Sequence, residues 1–423
     1  MRNEIKVGIL PNGVRFYSQY DWSGSSNLAG IGIKAGAIHA PPGYTGLPHL
    51  VEHLLARESL KYTLGEVDLA FEKFLGGPDD DINIRIDRVS THFGFGNLLR
   101  RKDMFFCLDV MAYFLRDKIV TTEGIDVEKA AVLNEYCLRG TDVMPVLLDD
   151  LLHQTAYATN PARLRIDCEK EHLEKMQRSK ITNFIKKHYV TDNIFLIVFG
   201  PKFEEVKELA KMYFGDWSQK SRPQLDYDHS DDFPTITSVK SCEVERKISQ
   251  CHLALGFYTE NYMGKNTEIL TVLARILAFR LRHRLRDGNR NFNEGVYRVN
   301  VDVSKSFVHG LFCITFASTS EEFVKKGEDI VLEELRKLKE VPVDNRQLDA
   351  ALYRTDTVYL EAFRKNPDIL AEMVIEAACN GDEDLTHLHS FRERLGKITR
   401  KKLLSVANKY FTPNYIKVII RPA

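Results

Sequence analysis

The chain opens on an alternation of apolar and polar positions. Ile5 to Leu10 and Val14 to Ser18 alternate on either side of Pro11-Asn12-Gly13, a run of turn formers, and predict a β-hairpin. Asn27 to Ala35 is more continuously apolar and predicts a further, more buried strand. The string from Pro41 to Gly46 breaks that pattern, and a helix is expected from about Leu47. Helical spacing of apolar residues recurs over Leu64 to Phe74 and Met104 to Arg116. Ile194 to Phe199 reads as a strand that stops at Gly200-Pro201.

Residues 187–201, KHYVTDNIFLIVFGP, resemble residues 408–422, NKYFTPNYIKVIIRP, and lie 221 residues upstream of them. Both run from a helix end through Tyr-x-Thr-x-Asn or its near equivalent into a strand, so the chain reads as a duplicated α+β unit. The same offset carries the helix at His49 onto Leu270, in LTVLARIL, which is again helical but has no His or Glu at the matching places. Between Ser218 and Thr237 the composition shifts to Ser, Asp, Pro and Gln, with few large apolar residues before Phe233. The expected organisation is therefore a half over 1–220, a linker over 221–237 and a second half over 238–423, as suits a length beyond one ordinary core.

Composition narrows the partners. Lys plus Arg and Asp plus Glu both number 59, which gives no electrostatic reason to expect nucleic acid or an anionic membrane surface. Nowhere do about 18 apolar residues run without charge, so no membrane-spanning helix is expected. Met1 to Leu10 is mixed and charged, without the apolar core of a secretory signal. The seven cysteines are scattered and form no CxxC pair, which favours free thiols and a cytoplasmic setting. Asp79-Asp80-Asp81 lacks the spaced ligands of a calcium loop and reads as a solvated turn. Arg275, Arg280, Arg282, His283, Arg284 and Arg286 form a basic stretch with little aromatic interleaving. It reads as a charged helix face, suited to acidic peptide segments rather than nucleic acid.

His49-Leu50-Val51-Glu52-His53 carries the most chemistry. At 100° per residue, His49, Glu52 and His53 share one face of a helix, while Leu50, Val51, Leu54 and Leu55 occupy the other. Two imidazoles one turn apart suit zinc. A glutamate between them is placed to take a proton from water rather than to ligate. Glu128 and Glu135 lie seven apart, hence on one face of a helix whose intervening Ala, Val and Leu predict burial. Two carboxylates there need a compensating charge, which a zinc ion and its histidines would supply. The alternative is a solvated acidic stripe, with Lys129 and Arg139 as its counter-charges. His92, His153 and His188 have no metal-like spacing and read as structural.

These residues resemble the pitrilysin/insulinase family of inverzincins, especially the branch that includes mitochondrial processing peptidase. The resemblance rests on H-x-x-E-H, followed after 81 intervening residues by Glu135, itself seven after Glu128. Further stretches fit it: Gly76-Gly77 before Asn83-Ile84, LDDLLHQTAY at 148–157, YVTDNIFLIVFG at 189–200, and Leu285-Arg286-Asp287 with Tyr297. It implies two duplicated α/β-sandwich halves, each a mostly antiparallel sheet covered by helices, which together make half of a clam-shell. It implies zinc (Zn2+) held by His49, His53 and Glu135, with Glu52 as general base and Glu128 orienting a histidine. Asn83 and Ile84 would pair with an extended peptide substrate, and Arg286 and Tyr297 would grip it and stabilise the oxyanion. The activity implied is that of a zinc metalloendopeptidase acting on unfolded peptides in a homodimer, or in a heterodimer with a related subunit. A non-catalytic, partner-holding subunit is the alternative, since the family contains such members.

Overall fold

The computed structural model describes residues 4–20, 27–75, 84–98, 100–142, 144–168, 170–218, 220–225, 234, 236–287, 296, 298–308 and 310–423. The opening hairpin forms as expected: β1 (Lys6–Ile9) pairs antiparallel with β2 (Arg15–Tyr20). In its turn Gly13 takes a φ of 94°, open to glycine at little cost. The chain continues through β3 (Asn27–Ile33), α1 (Leu47–Leu55), α2 (Leu64–Leu75), β4 (Arg85–Ile86), β5 (Thr91–Leu98) and α3 (Arg101–Arg116). Next come α4 (Thr122–Asp142), α5 (Met144–Ala156), α6 (Lys170–Lys175), α7 (Arg178–His188), β6 (Ile194–Gly200) and α8 (Phe203–Phe214). The remainder is β7 (Lys240–Arg246), β8 (Cys251–Tyr258), α9 (Thr267–Arg282) with a π-helical turn at His283–Asp287, β9 (Val299–Lys305) and β10 (Gly310–Ser318). The last elements are α10 (Glu321–Glu340), α11 (Asn345–Lys365), α12 (Pro367–Cys379), α13 (Thr386–His389), α14 (Phe391–Gly396), α15 (Arg400–Tyr410) and β11 (Ile416–Pro422).

The strands make two sheets, ordered β1-β2-β6-β3-β5-β4 and β7-β11-β8-β10-β9. Without β1 the orders are the same, and so are the directions. β2–β6 and β7–β11 pair in parallel, and every other neighbouring pair is antiparallel. The chain is thus a duplicated α/β architecture.

Each compact unit draws on both parts of the chain. The first holds residues up to Tyr136, Leu164–Asp226 and Leu360–Leu385; the second holds Cys137–Arg163, Tyr227–Tyr359 and Thr386–Ala423. In the first, Ala29, Ile31, Ile33, Leu196 and Val198 turn into a core shared with α1 and α3. On the opposite sheet face, Leu28 and Ile197 meet Ala371 and Ile375 of α12. All seven residues of both β3 and β6 are buried in consequence, which is why these strands read as apolar runs rather than alternations. In the second unit, Leu253, Leu255, Phe257, Phe312 and Ile314 share a core with Leu270, Leu273 and Leu277 of α9. There α5 covers the other face, with Leu148 and Leu152 beside His252, Cys313 and Thr315. The helices α5 and α12 occupy equivalent places in the repeat and are exchanged: each covers the sheet of the unit that the other's neighbours build.

No helix among the described residues is long and apolar enough to cross a membrane.

Candidate metal centre

The loop before α1 fixes where that helix begins. Gly46 takes a φ of 80°, and a Cβ there would stand 2.4 Å from the Cα of Cys168, so backbone conformation and close approach both demand glycine. Pro48 follows in the first turn, where its missing N–H costs nothing. Leu47, Leu50, Val51, Leu54 and Leu55 are buried in the core of the first unit. At the far end the Lys118 ammonium donates to the carbonyls of Leu55 (3.2 Å), the last residue of α1, and of Glu58 (2.9 Å), just beyond it. Burial pulls that ammonium down to about 7.

With α1 anchored on its apolar side, His49, Glu52 and His53 emerge together. The two Nε2 atoms are 3.3 Å apart. The Oε2 of Glu135, from α4, lies 3.4 Å from Nε2 of His49 and 3.3 Å from Nε2 of His53. The three donors therefore form a nearly equilateral triangle. Its edge is that of a tetrahedron around an ion with bonds of about 2.0–2.1 Å, the length zinc adopts with imidazole and carboxylate. Two imidazoles and one carboxylate are the donors zinc prefers, and three protein ligands leave a fourth position open. The Oε2 of Glu52 is more distant, 3.8 and 3.9 Å from the same nitrogens. His49, Glu52 and His53 also group as a possible metal cluster by proximity alone. The shorter distances mark Glu135, rather than Glu52, as the candidate third ligand and set Glu52 just outside the triangle.

Glu128, two turns before Glu135 on α4, supports the site from behind. Its Oε2 is 3.2 Å from Nδ1 of His53, and its Oε1 accepts from Arg57 at 2.7 Å. Burial raises the Glu128 carboxyl, but the hydrogen bonds from His53 and Arg57 outweigh it and hold the group below the ordinary carboxylate value. An ionised Glu128 accepts from Nδ1–H and so turns the Nε2 lone pair of His53 toward the triangle. The solvated-stripe alternative for α4 does not describe Glu128, whose side chain is only 13 % exposed.

Arg57 was not apparent as a site residue from sequence. It stands one turn beyond His53, and a buried acid on a facing helix is the signal that would have pointed to it. Glu128→Ala is expected to weaken zinc affinity by about 10- to 100-fold, as loss of such supporting carboxylates does. Arg57→Ala should act in the same direction more weakly. Competition against a chromophoric chelator measures both.

Of the other expected site residues, Ile84 immediately precedes β4, one of the two edge strands of its sheet among the described residues, and packs partly buried against the core. Asn83 and Tyr297 lie outside the described residues, as does the side chain of Arg286, whose backbone is in the π-helical turn. In the second unit the turn before the helix repeats the one before α1, with helix starts at Leu47 and Thr267. That alignment puts Ile269, Val272 and Leu273, all buried, at the places of His49, Glu52 and His53. The second unit carries no counterpart of the metal residues on that helix.

His-x-x-Glu-His on a helix is the inverzincin signature, and here a carboxylate from a second helix faces it in one of two duplicated α/β units. Comparison with known proteins agrees. Residues 15–170 match the model of insulinase (peptidase family M16), and residues 175–353 match that of the peptidase M16 inactive domain. The chain belongs to this pitrilysin/insulinase family and is similar to processing peptidases within it. It is 27% identical to the mitochondrial-processing peptidase subunit beta of Neurospora crassa over 48% of this chain and 42% of that one. Against the bovine subunit beta it is 22% identical over 77% of this chain and 62% of that one. Against bovine cytochrome b-c1 complex subunit 1 it is 24% identical over 60% and 51%. The chain thus spans less than two thirds of the length of these curated relatives. A protease from Helicobacter pylori shares the fold with a TM-score of 0.88 at 18% identity, covering 100% of both chains.

Proposed function

We propose that this chain is a zinc-dependent endopeptidase acting on unfolded peptides. The triangle of His49 Nε2, His53 Nε2 and Glu135 Oε2, with Glu52 beside its open side, carries the reading. A zinc ion held there would act as a Lewis acid, making water acidic near neutral pH and polarising a peptide carbonyl. Glu52 would accept the proton from the attacking water and pass it to the leaving amine. Glu128 and Arg57 would keep His53 in the tautomer and orientation that ligation needs. An extended substrate would add to the sheet beside Asn83 and Ile84, next to the outer strand β4, which requires a free peptide backbone.

The active form in this proposal is a dimer, with the metal unit of one copy completed by Arg286 and Tyr297 of another. An incompletely enclosed centre would leave the developing oxyanion to water. A homodimer is sufficient because the chain carries both sets of residues; a heterodimer with a related subunit is the variant form. Mixing tests it. Glu52→Gln and Tyr297→Phe proteins, each inactive alone, should regain part of the activity when subunits exchange. No recovery despite demonstrated exchange would reject the shared site.

The similarity to cytochrome b-c1 complex subunit 1 favours a second reading, a partner-holding subunit without catalysis. The complete set of metal donors with an adjacent base weighs against it.

A further inference from the structure

The helix pair that bears the metal residues in the first unit, α1 and α4, has its topological equivalent in α9 and α11 of the second. Between α9 and α11 lies a groove of about 470 Å³. Arg275 and Arg282 line it from α9, and Arg346 and Arg354 from α11. No carboxylate lines it among the described residues. The neighbouring Arg280 and Arg284 are neutralised locally: Arg280 donates to Gln347 and pairs with Glu334 at 3.7 Å, and Arg284 bonds Glu333 and Glu334. The four groove arginines have no such carboxylate within ion-pair distance among the described residues.

Arg275 lies within electrostatic reach of Arg354, and Arg280 bonds Gln347, so the helices run antiparallel and Arg282 falls toward Arg346. Each end of the groove thus holds two like charges. Burial, then the charge of Arg354, pulls the Arg275 guanidinium below its usual value, with Asp302 opposing. Its Nε is buried without a hydrogen-bond partner. Arg282, Arg346 and Arg354 are exposed and hydrated, so the cost falls on half-buried Arg275, and an anion entering beside it would relieve that cost. Between the two ends the surface is apolar, formed by Ala350, Ala351 and Phe279, the last 50% exposed.

We infer that this groove binds an acidic peptide segment, with one carboxylate at each arginine pair and an apolar side chain between them. At 1.5 Å per helical residue, the arginine pairs stand about 10–12 Å apart along the groove. An extended peptide covers that distance in roughly three to four residues, and its successive side chains point to opposite faces, so the segment has the form acid-x-x-x-acid, with the central residue apolar and facing the groove. Guanidinium groups bind carboxylates through two parallel hydrogen bonds, which gives register as well as attraction. The inference concerns binding alone and is independent of the metal chemistry proposed for the first unit.

The test uses the full chain freed of zinc by a chelator, so that binding is separated from cleavage. Fluorescence anisotropy follows a labelled peptide carrying Glu-Ser-Leu-Ser-Glu and its Gln-Ser-Leu-Ser-Gln counterpart. Tripolyphosphate serves as the competing anion without a peptide. The Glu peptide should bind at least about tenfold more tightly than the Gln peptide. Arg282→Gln with Arg346→Gln should abolish most of that difference. Lys326→Gln with Lys401→Gln, which removes the same charge from exposed positions outside the groove, should leave it intact. Equal binding of the two peptides, equal losses in the two double variants, or binding of tripolyphosphate without the Glu peptide would each overturn the inference.

Discussion

Glu52→Gln is expected to retain its zinc and to lose about 10²- to 10⁴-fold of peptide hydrolysis, the usual cost of removing a general base. The amide keeps the volume of a side chain that is only 11 % exposed, so the packing of α1 is undisturbed. Among the described residues it removes the carboxylate that the proposal places beside the open position to accept a proton. Glu52 stands 3.8 and 3.9 Å from the two imidazole nitrogens, beyond the 3.3–3.4 Å that separates the three donors, so its loss leaves the ligand set complete. Steady-state kinetics on an unfolded peptide, with elemental analysis of the same sample, separates the two effects. Near-normal turnover would assign the base elsewhere.

His49→Ala should lose the metal itself. Zinc sites of four protein ligands contribute about 10–16 kcal/mol in apparent binding, roughly 3–4 kcal/mol per ligand, so one lost imidazole weakens affinity on the order of 10²- to 10³-fold. His49 is 4% exposed and faces both other donors, so no neighbouring side chain replaces it without moving α1. Hydrolysis should fall with the metal, which distinguishes this variant from Glu52→Gln. Undiminished zinc in His49→Ala would remove the histidine from the site.

Much of this was legible in the sequence. The opening hairpin, the helix from Leu47 and the strand at Ile194 follow from local periodicity and turn residues, and the structure has them where expected. The helical face shared by His49, Glu52 and His53 follows from the 3.6-residue period, as does the pairing of Glu128 with Glu135. The duplication was visible in two short strings and is explicit in the matching strand orders. Tertiary relations were less accessible. Arg57 acquires its role only when α4 brings Glu128 to it. The exchange of α5 and α12 between units leaves no local trace, because an apolar helix face does not specify which sheet it covers. The basic stretch near Arg280 read as one charged face. The fold divides it into arginines paired with Glu333 and Glu334 of α10 and arginines that face two more from α11, some 70 residues on.

In the proposed function this chain is a hydrolase whose activity depends on a metal held by its own His49, His53 and Glu135. A digest of a mixture of unfolded peptides, read by mass spectrometry, tests it most directly. The zinc-replete full chain should generate new peptide termini, a strong chelator should stop their formation, and added zinc should restore it. An unchanged mixture in the presence of zinc-replete protein, or cleavage that persists after the metal has been removed, would contradict the account.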